Sequence, residues 1–230
     1  MTNLKYTSSI LMTEFVTHDV KRFIIEKPKN YIFKPGQATE VAIKQEAWQK
    51  EKRPFTFTSL NEDQVLEFTI KSYPTKKYPD HEGVTEQLHT LKPGDKLILE
   101  EPWGTINYQG SGIFIAGGAG ITPFIAIIRD LKNRHKIKGN RLFFSNKKAH
   151  DVILEKEFRN TFSSEDLLLT LTKETQTGYY AGRIDKNFLN KHVKNFKQNF
   201  YVCGPSAMVQ DLKNILKKLG AKVDTIVFEK

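Results

Sequence analysis

Ile113-Phe-Ile-Ala-Gly-Gly-Ala-Gly-Ile-Thr-Pro-Phe-Ile-Ala-Ile-Ile128 is the stretch on which the fold turns. Its first four residues, Ile113 to Ala116, are apolar and read as a short buried strand. A glycine-rich turn follows, then an apolar helix with Pro123 near its start. Proline is tolerated there because the first backbone N–H groups of a helix have no intrahelical partner. Those free N–H groups and the positive end of the helix dipole make a site for phosphate. Gly118 and Gly120 let the backbone turn sharply and approach a ligand that a side chain would block. The pattern G-x-G-x-x-P departs at its last position from the dinucleotide fingerprint G-x-G-x-x-G, and taken alone it also fits an ordinary strand-to-helix turn.

Strand-like runs continue downstream at residues 141–144, 166–171, 200–203 and 225–228. Helical patterns lie between them at 124–133, 153–160, 186–193 and 206–219. Strands alternating with helices of this length indicate a parallel sheet with crossover helices. Such sheets bind ligands at the carboxyl ends of their strands. The glycine-rich turn and Cys203-Gly-Pro205 both fall at such ends, so the two are expected to line one cleft.

The first half reads differently. Short β-rich runs at 23–26, 40–43, 65–70 and 96–99 are separated by the turn signals Lys34-Pro-Gly36, Asn61-Glu-Asp63 and Lys92-Pro-Gly-Asp95. Few helical stretches interrupt them, residues 87–91 being one, which points to a six-stranded antiparallel β-barrel over 1–105 ahead of an α/β domain over 106–230. Within the barrel, Arg53-Pro-Phe-Thr-Phe-Thr-Ser59 stands out. On a strand, Arg53, Phe55, Phe57 and Ser59 share one face, with Pro54, Thr56 and Thr58 on the other. Aromatics beside hydroxyls and an arginine suit a planar polar ring joined to a phosphate, although an amphipathic edge strand has the same pattern. Trp48, in the charged segment just before, reads as a lid or, by preference, an exposed loop aromatic.

The chain has 230 residues and a formal net charge of +10. Residues 1–105 hold 15 basic and 15 acidic side chains, and residues 106–230 hold 21 and 11, so the excess lies wholly in the second half. A basic half attracts anionic ligands or an acidic partner. Its lysines alternate with apolar helix positions instead of forming a basic arm, which disfavours nucleic acid. One cysteine excludes an internal disulfide and any all-cysteine metal or iron–sulfur site. No apolar run approaches a membrane span and the first residues lack a signal-peptide pattern, so a cytoplasmic location is expected. The six histidines show no metal-ligand spacing, and no G-x-S-x-G elbow is present.

Taken in order, the motifs resemble the ferredoxin–NADP reductase superfamily over nearly the whole chain. Phe33-Lys-Pro-Gly-Gln37 is similar to the barrel's entry motif, and Arg53-Pro-Phe-Thr56 to the flavin motif R-x-[YF]-[ST]. Gly83-Val-Thr-Glu-Gln-Leu88 resembles the G-x-[ST]-x-x-L segment that wraps the flavin diphosphate. Leu91-Lys-Pro-Gly-Asp95 with Pro102-Trp-Gly104 resembles the last barrel strand and its exit. Gly118-Ala-Gly-Ile-Thr-Pro123 and Tyr201-Val-Cys-Gly-Pro205 with Met208 resemble the family's G-x-G-x-x-P and C-G-P-x-x-M.

The resemblance implies a flavoprotein oxidoreductase with FAD on the barrel and NADP(H) or NAD(H) on the α/β domain, hydride passing from nicotinamide C4 to flavin N5. Phe55 would lie against the isoalloxazine ring, Thr56 near flavin N5 and Arg53 on the flavin phosphate, with Pro54 inside the same motif. Backbone at Ile70, Lys71 and Ser72, and at Gly83, Val84 and Thr85, would hold the ribityl chain and diphosphate. Gly118, Ala119, Gly120, Ile121, Thr122 and Pro123 would receive the nucleotide's pyrophosphate. Cys203, followed by Gly204 and Pro205, would stand near the nicotinamide, so that Thr56 and Cys203 are the residues closest to the chemistry. Thr172, Lys173 and Tyr180, with Glu174, resemble the positions that hold the extra phosphate in NADP-using relatives. Phe228 is a candidate cover for the flavin, although the chain runs two residues past it. The implied acceptor is a separate acidic carrier, flavodoxin or ferredoxin. Free flavin, a haem protein or an oxygenase component as acceptor, or membership of a larger complex as an electron-transfer subunit, are the alternatives.

Overall fold

The computed structural model describes residues 5–104, 106–221 and 226–228, the last three by backbone alone. The chain forms two compact units, Met1–Gly104 and Thr105–Lys230.

The first unit is a six-stranded antiparallel sheet made of β1 (Tyr6–Thr17), β2 (Val20–Glu26), β3 (Ala38–Ile43), β4 (Arg53–Thr56), β5 (Val65–Lys71) and β6 (Lys96–Leu99), in the order β4-β3-β6-β1-β2-β5. Strand β1 has no counterpart among the expected runs. Its first residues, Tyr6 to Ser9, pair with β6 and the rest with β2, and register shifts between Ile10 and Met12 and between Phe15 and Thr17 break the alternation that marks a strand. Leu11, Met12 and Phe15 are exposed as a result.

Expected face-sharing along residues 53–59 stops at Thr56, where β4 ends. Beyond it the chain passes from one partner to another: Phe57 N–H donates to Gln37 O at 3.1 Å and Thr58 N–H to Glu67 O of β5 at 2.8 Å. This handover brings the two edges of the sheet together, and Thr56, Phe57, Thr58 and Ser59 are all buried. Phe57 stacks on Phe33 at 4.2 Å and lies 5.2 Å from Phe68, at the centre of the barrel core. Each such ring contributes about 2 kcal/mol by leaving water. The single α-helix described in this unit, α1 (Val84–Thr90), drives Val84 and Leu88 into the same core. Lys21 Nζ donates to the carbonyls of His89 (2.8 Å) and Leu91 (3.4 Å), placing a cation where the helix dipole is negative.

The second unit is a parallel sheet, β10-β9-β8-β7-β11-β12, with strands β7 (Gly112–Gly117), β8 (Arg141–Asn146), β9 (Leu167–Leu171), β10 (Tyr180–Ala181), β11 (Asn199–Cys203) and β12 (Ile226–Phe228). The helices are α2 (Thr122–Asn133), α3 (Glu155–Arg159), α4 (Lys186–His192) and α5 (Ser206–Lys218). From β7 the chain adds strands outward on one side as far as β10, then returns to place β11 on the other side of β7. The crevice between β7 and β11 is therefore the topological switch point, where sheets of this type bind ligands. The apolar stretch 113–116 is fully buried on both faces, as a central parallel strand requires.

Candidate functional site

At the switch point Ala116 stands opposite Cys203 in register. The glycine-rich segment is not an open loop. Gly118–Ile121 forms a 3-10 turn that runs directly into α2, and the Thr122 hydroxyl donates to Ala119 O at 3.0 Å. A methyl group on Gly120 would lie 2.5 Å from the carbonyl carbon and oxygen of Cys203, and one on Gly204 would lie 3.1 Å from Gly117 N. The two segments therefore touch backbone to backbone, which only glycine permits. Gly118 serves the site differently. Its φ of +53° makes the turn, and nothing lies within 4 Å of where its Cβ would be. That open face, lined by backbone at the start of a helix, fits a pyrophosphate.

Several residues expected in this cleft contribute backbone or packing. Ile121 and Pro123 bury their side chains, and Cys203 is 4 % exposed. Met208 Sδ would come within 2.5 Å of a methyl on Gly117, so its thioether backs the turn from behind, beside Pro205.

At the carboxyl ends of β8 and β9, Thr172 N–H donates to Asn146 O and Lys173 N–H to Lys147 O, both at 2.9 Å. Exposed Lys147, Lys148 and Lys173 are thereby gathered side by side. The nearby carboxylates are engaged by backbone N–H groups, Glu174 accepting from Ala149 at 2.8 Å and Asp151 from Lys148 at 2.9 Å. Tyr180 opens its own two-residue edge strand, with its ring set edge-on to Phe188 (5.8 Å) and His192 (4.9 Å) on α4. Asn146 was not legible as a candidate. Its side chain is 5 % exposed, and both amide atoms lack a hydrogen-bond partner. An orphaned amide in this position is what a bound ribose or a water would satisfy, so the donor set fits a nicotinamide nucleotide.

In the first unit the R-P-F-T segment forms β4. Arg53 Nη1 donates to Lys52 O at 2.7 Å and Nη2 pairs with the Glu82 carboxylate. Pro54 is exposed, Phe55 is half-buried against the barrel core, and Thr56 is 6 % exposed. Ile70 is buried, the Lys71 ammonium pairs with Asp19, and Ser72 N–H donates to Asp19 O at 2.8 Å. His89 Nε2 lies 2.9 Å from Ile70 O, and burial, reinforced by the charge of Lys21, holds its pKa below the ordinary imidazole value.

Gly83, with φ +76°, precedes α1 directly, so Val84 and Thr85 open the helix. The Thr85 hydroxyl already accepts from Tyr73 N–H at 3.0 Å. A methyl at Gly83 would stand 3.1 Å from Thr75 Cγ2 and 3.6 Å from the Trp48 ring. Trp48 is accordingly half-buried against the barrel core and borders the Gly83 turn, where an exposed loop residue was expected. A guanidinium, a glycine turn that a Cβ would fill and flanking aromatics form a donor set that fits a flavin carrying phosphate. Phe228 lies on β12, and its side chain is outside the described residues.

The family model of the oxidoreductase FAD-binding domain matches residues 8–108, and that of the oxidoreductase NAD-binding domain matches residues 114–214. The chain belongs to the oxidoreductases that join an FAD-binding domain to an NAD-binding domain, and its fold is ferredoxin reductase-like. This oxidoreductase is 27 % identical to NADH-cytochrome b5 reductase 2 of Mycosarcoma maydis, over 91 % of this chain and 68 % of that protein. It is 25 % identical to the ferredoxin–NAD(P)+ reductase component of the naphthalene 1,2-dioxygenase system of Pseudomonas putida, over 95 % of this chain and 66 % of that protein. In fold it matches the FAD/NAD-binding domain of a Vibrio cholerae nitric oxide dioxygenase, with a TM-score of 0.84 at 19 % identity over 97 % of both chains. The enzyme is thus an FAD-dependent NAD(P)H oxidoreductase that moves electrons from a reduced nicotinamide nucleotide. Among the described residues no helix is long and apolar enough to cross a membrane.

Proposed function

We propose that this enzyme is an NADPH-dependent reductase that delivers electrons to a separate acidic carrier protein of the ferredoxin or flavodoxin kind. Domains 1–105 and 106–230 divide the work. When bound, FAD supplies the hydride-accepting and electron-releasing ring. Arg53 holds its phosphate, Phe55 flanks its ring, Thr56 offers a hydroxyl near N5, and the backbone of 70–72 and 83–85 holds the chain between them. Gly118 to Pro123 seat the nucleotide's pyrophosphate, and Cys203-Gly-Pro205 walls the nicotinamide side. No side-chain acid or base takes part, because the reaction needs orientation and exclusion of water more than proton transfer.

The observation that carries the reading is the backbone contact between the two glycine-bearing segments at the β7/β11 switch point, with the open face of Gly118 beside it. Support for NADPH comes from Lys147, Lys148 and Lys173, gathered by the β8 and β9 ends while the neighbouring carboxylates are tied to backbone. Lysine serves a phosphate as a point charge. Support for an acidic carrier comes from the +10 charge that lies wholly in residues 106–230, and the names of the relatives include protein acceptors.

The test is anaerobic. NADPH should bleach the flavin spectrum of the purified protein at least tenfold faster than NADH at equal concentration. Reoxidation by an acidic ferredoxin or flavodoxin should slow steeply as salt is raised. Equal rates with both nucleotides would overturn the NADPH assignment. Turnover with free flavin that exceeds every carrier protein, with no salt dependence, would overturn the acceptor assignment.

A further inference from the structure

Arg53 Nη2 forms an ion pair with the carboxylate of Glu82, an anion of the kind a guanidinium also binds in a phosphate. Three observations set Glu82 apart from the other acids around it. It immediately precedes the Gly83 turn. Its backbone is left-handed, φ +53°, an arrangement uncommon for a residue with a side chain. And its side chain is 66 % exposed whereas that of Arg53 is 28 % exposed, so the carboxylate reaches in from solvent to a guanidinium held by the barrel.

The rest of the segment is anchored by other contacts. Tyr73 stacks on His81 at 4.2 Å, Tyr73 N–H donates to Thr85, and Glu86 accepts from both the N–H and the hydroxyl of Thr75. Arg53 is likewise steadied by its bond to Lys52 O. These contacts hold the turn and the guanidinium at points other than the Glu82 carboxylate.

We infer that Glu82 is an internal stand-in for the flavin phosphate, competing for Arg53 and thereby setting how tightly the protein holds FAD. This rests on the proposed role of Arg53 toward that phosphate. A carboxylate and a phosphate cannot both occupy one guanidinium fork without crowding like charges, so binding of FAD must displace Glu82 to solvent. Exchange of one exposed pair for another is worth a small factor, and removal of the competing charge should tighten binding by about two- to fivefold.

The experiment is a titration of the flavin-free full-length protein followed by quenching of flavin fluorescence, a readout independent of turnover. Glu82→Gln keeps the length of the side chain and the backbone demand while removing the charge. It should tighten FAD about two- to fivefold and leave riboflavin, which has no phosphate, unchanged. In an Arg53→Ala background, where FAD binding itself is weakened, Glu82→Gln should lose its effect. Unchanged or weaker FAD binding in Glu82→Gln, or equal tightening of riboflavin, would overturn the inference about Glu82. FAD binding unaffected by Arg53→Ala would instead overturn the role of Arg53 on which it rests.

Discussion

Gly120→Ala is the substitution that probes the cleft most directly. The added methyl would sit 2.5 Å from the carbonyl carbon and oxygen of Cys203 and from Gly204 Cα. Relaxed carbon contacts lie at about 3.5–4.0 Å, so the turn and the Cys-Gly-Pro segment must separate by roughly 1 Å. The clashing atoms are backbone at the end of β11, and no rotamer can move them aside. Overpacking of this kind costs about 1–3 kcal/mol, roughly a 5- to 140-fold change in the folding equilibrium. Gly117→Ala meets Met208 Sδ at the same 2.5 Å, but that atom is near the flexible end of a side chain. Gly117→Ala should therefore cost less, and Met208→Ala should relieve most of it, leaving Pro205 Cδ at 3.0 Å, whereas trimming side chains cannot relieve Gly120→Ala. Urea denaturation followed by far-UV circular dichroism gives the stabilities, and a nucleotide titration should show Gly120→Ala weakening NADP+ at least tenfold. A Gly120→Ala protein with the parent's midpoint and the parent's nucleotide affinity would refute the claim that the two segments touch.

Two further outcomes are expected. His89 is held neutral by burial and by Lys21, so its folded pKa lies below the unfolded value of about 6.5. In that window the unfolded chain takes up a proton that the folded chain refuses, so stability falls as pH drops below about 6.5 and is level for this group above it. His89→Gln should flatten that part of the profile in urea midpoints collected from pH 5 to 8, and an unchanged slope would remove His89 from the account. Asn146→Leu should leave stability unchanged or raise it by up to about 1 kcal/mol, because it removes two unpartnered buried polar atoms without opening a large void. The same variant should lose nucleotide affinity; a variant that binds normally would make Asn146 a merely buried amide.

Much of the barrel and of the α/β unit was legible because both use repeating local signals. Runs 23–26, 40–43, 65–70 and 96–99 coincide with β2, β3, β5 and β6, and the segments around 124–133, 186–193 and 206–219 coincide with α2, α4 and α5. Strand β1 was missed because two register shifts destroy its alternation. Strand β10 was missed because two residues carry no period at all. The end of β4 at Thr56 could not be read either, since it depends on where Gln37, just before β3, and Glu67 of β5 offer the next carbonyl, which is a property of the closed sheet.

From the order of residues alone it follows that a β-rich half precedes a parallel α/β half, that a glycine-rich turn and a Cys-Gly-Pro segment stand at strand ends, and that all the net charge lies in the second half. Each of these is a matter of composition or of spacing along the chain. What each glycine does is settled instead by folding. Gly120 faces the Cys203 backbone, Gly117 faces Met208 and Gly118 faces open space, because these roles are set by neighbours some 85 residues away in sequence. Folding also brought Glu82 to Arg53 and left the amide of Asn146 without a partner. A charge or a polar group acquires its consequence from what the fold places beside it, and that distance is not written in the order of the residues.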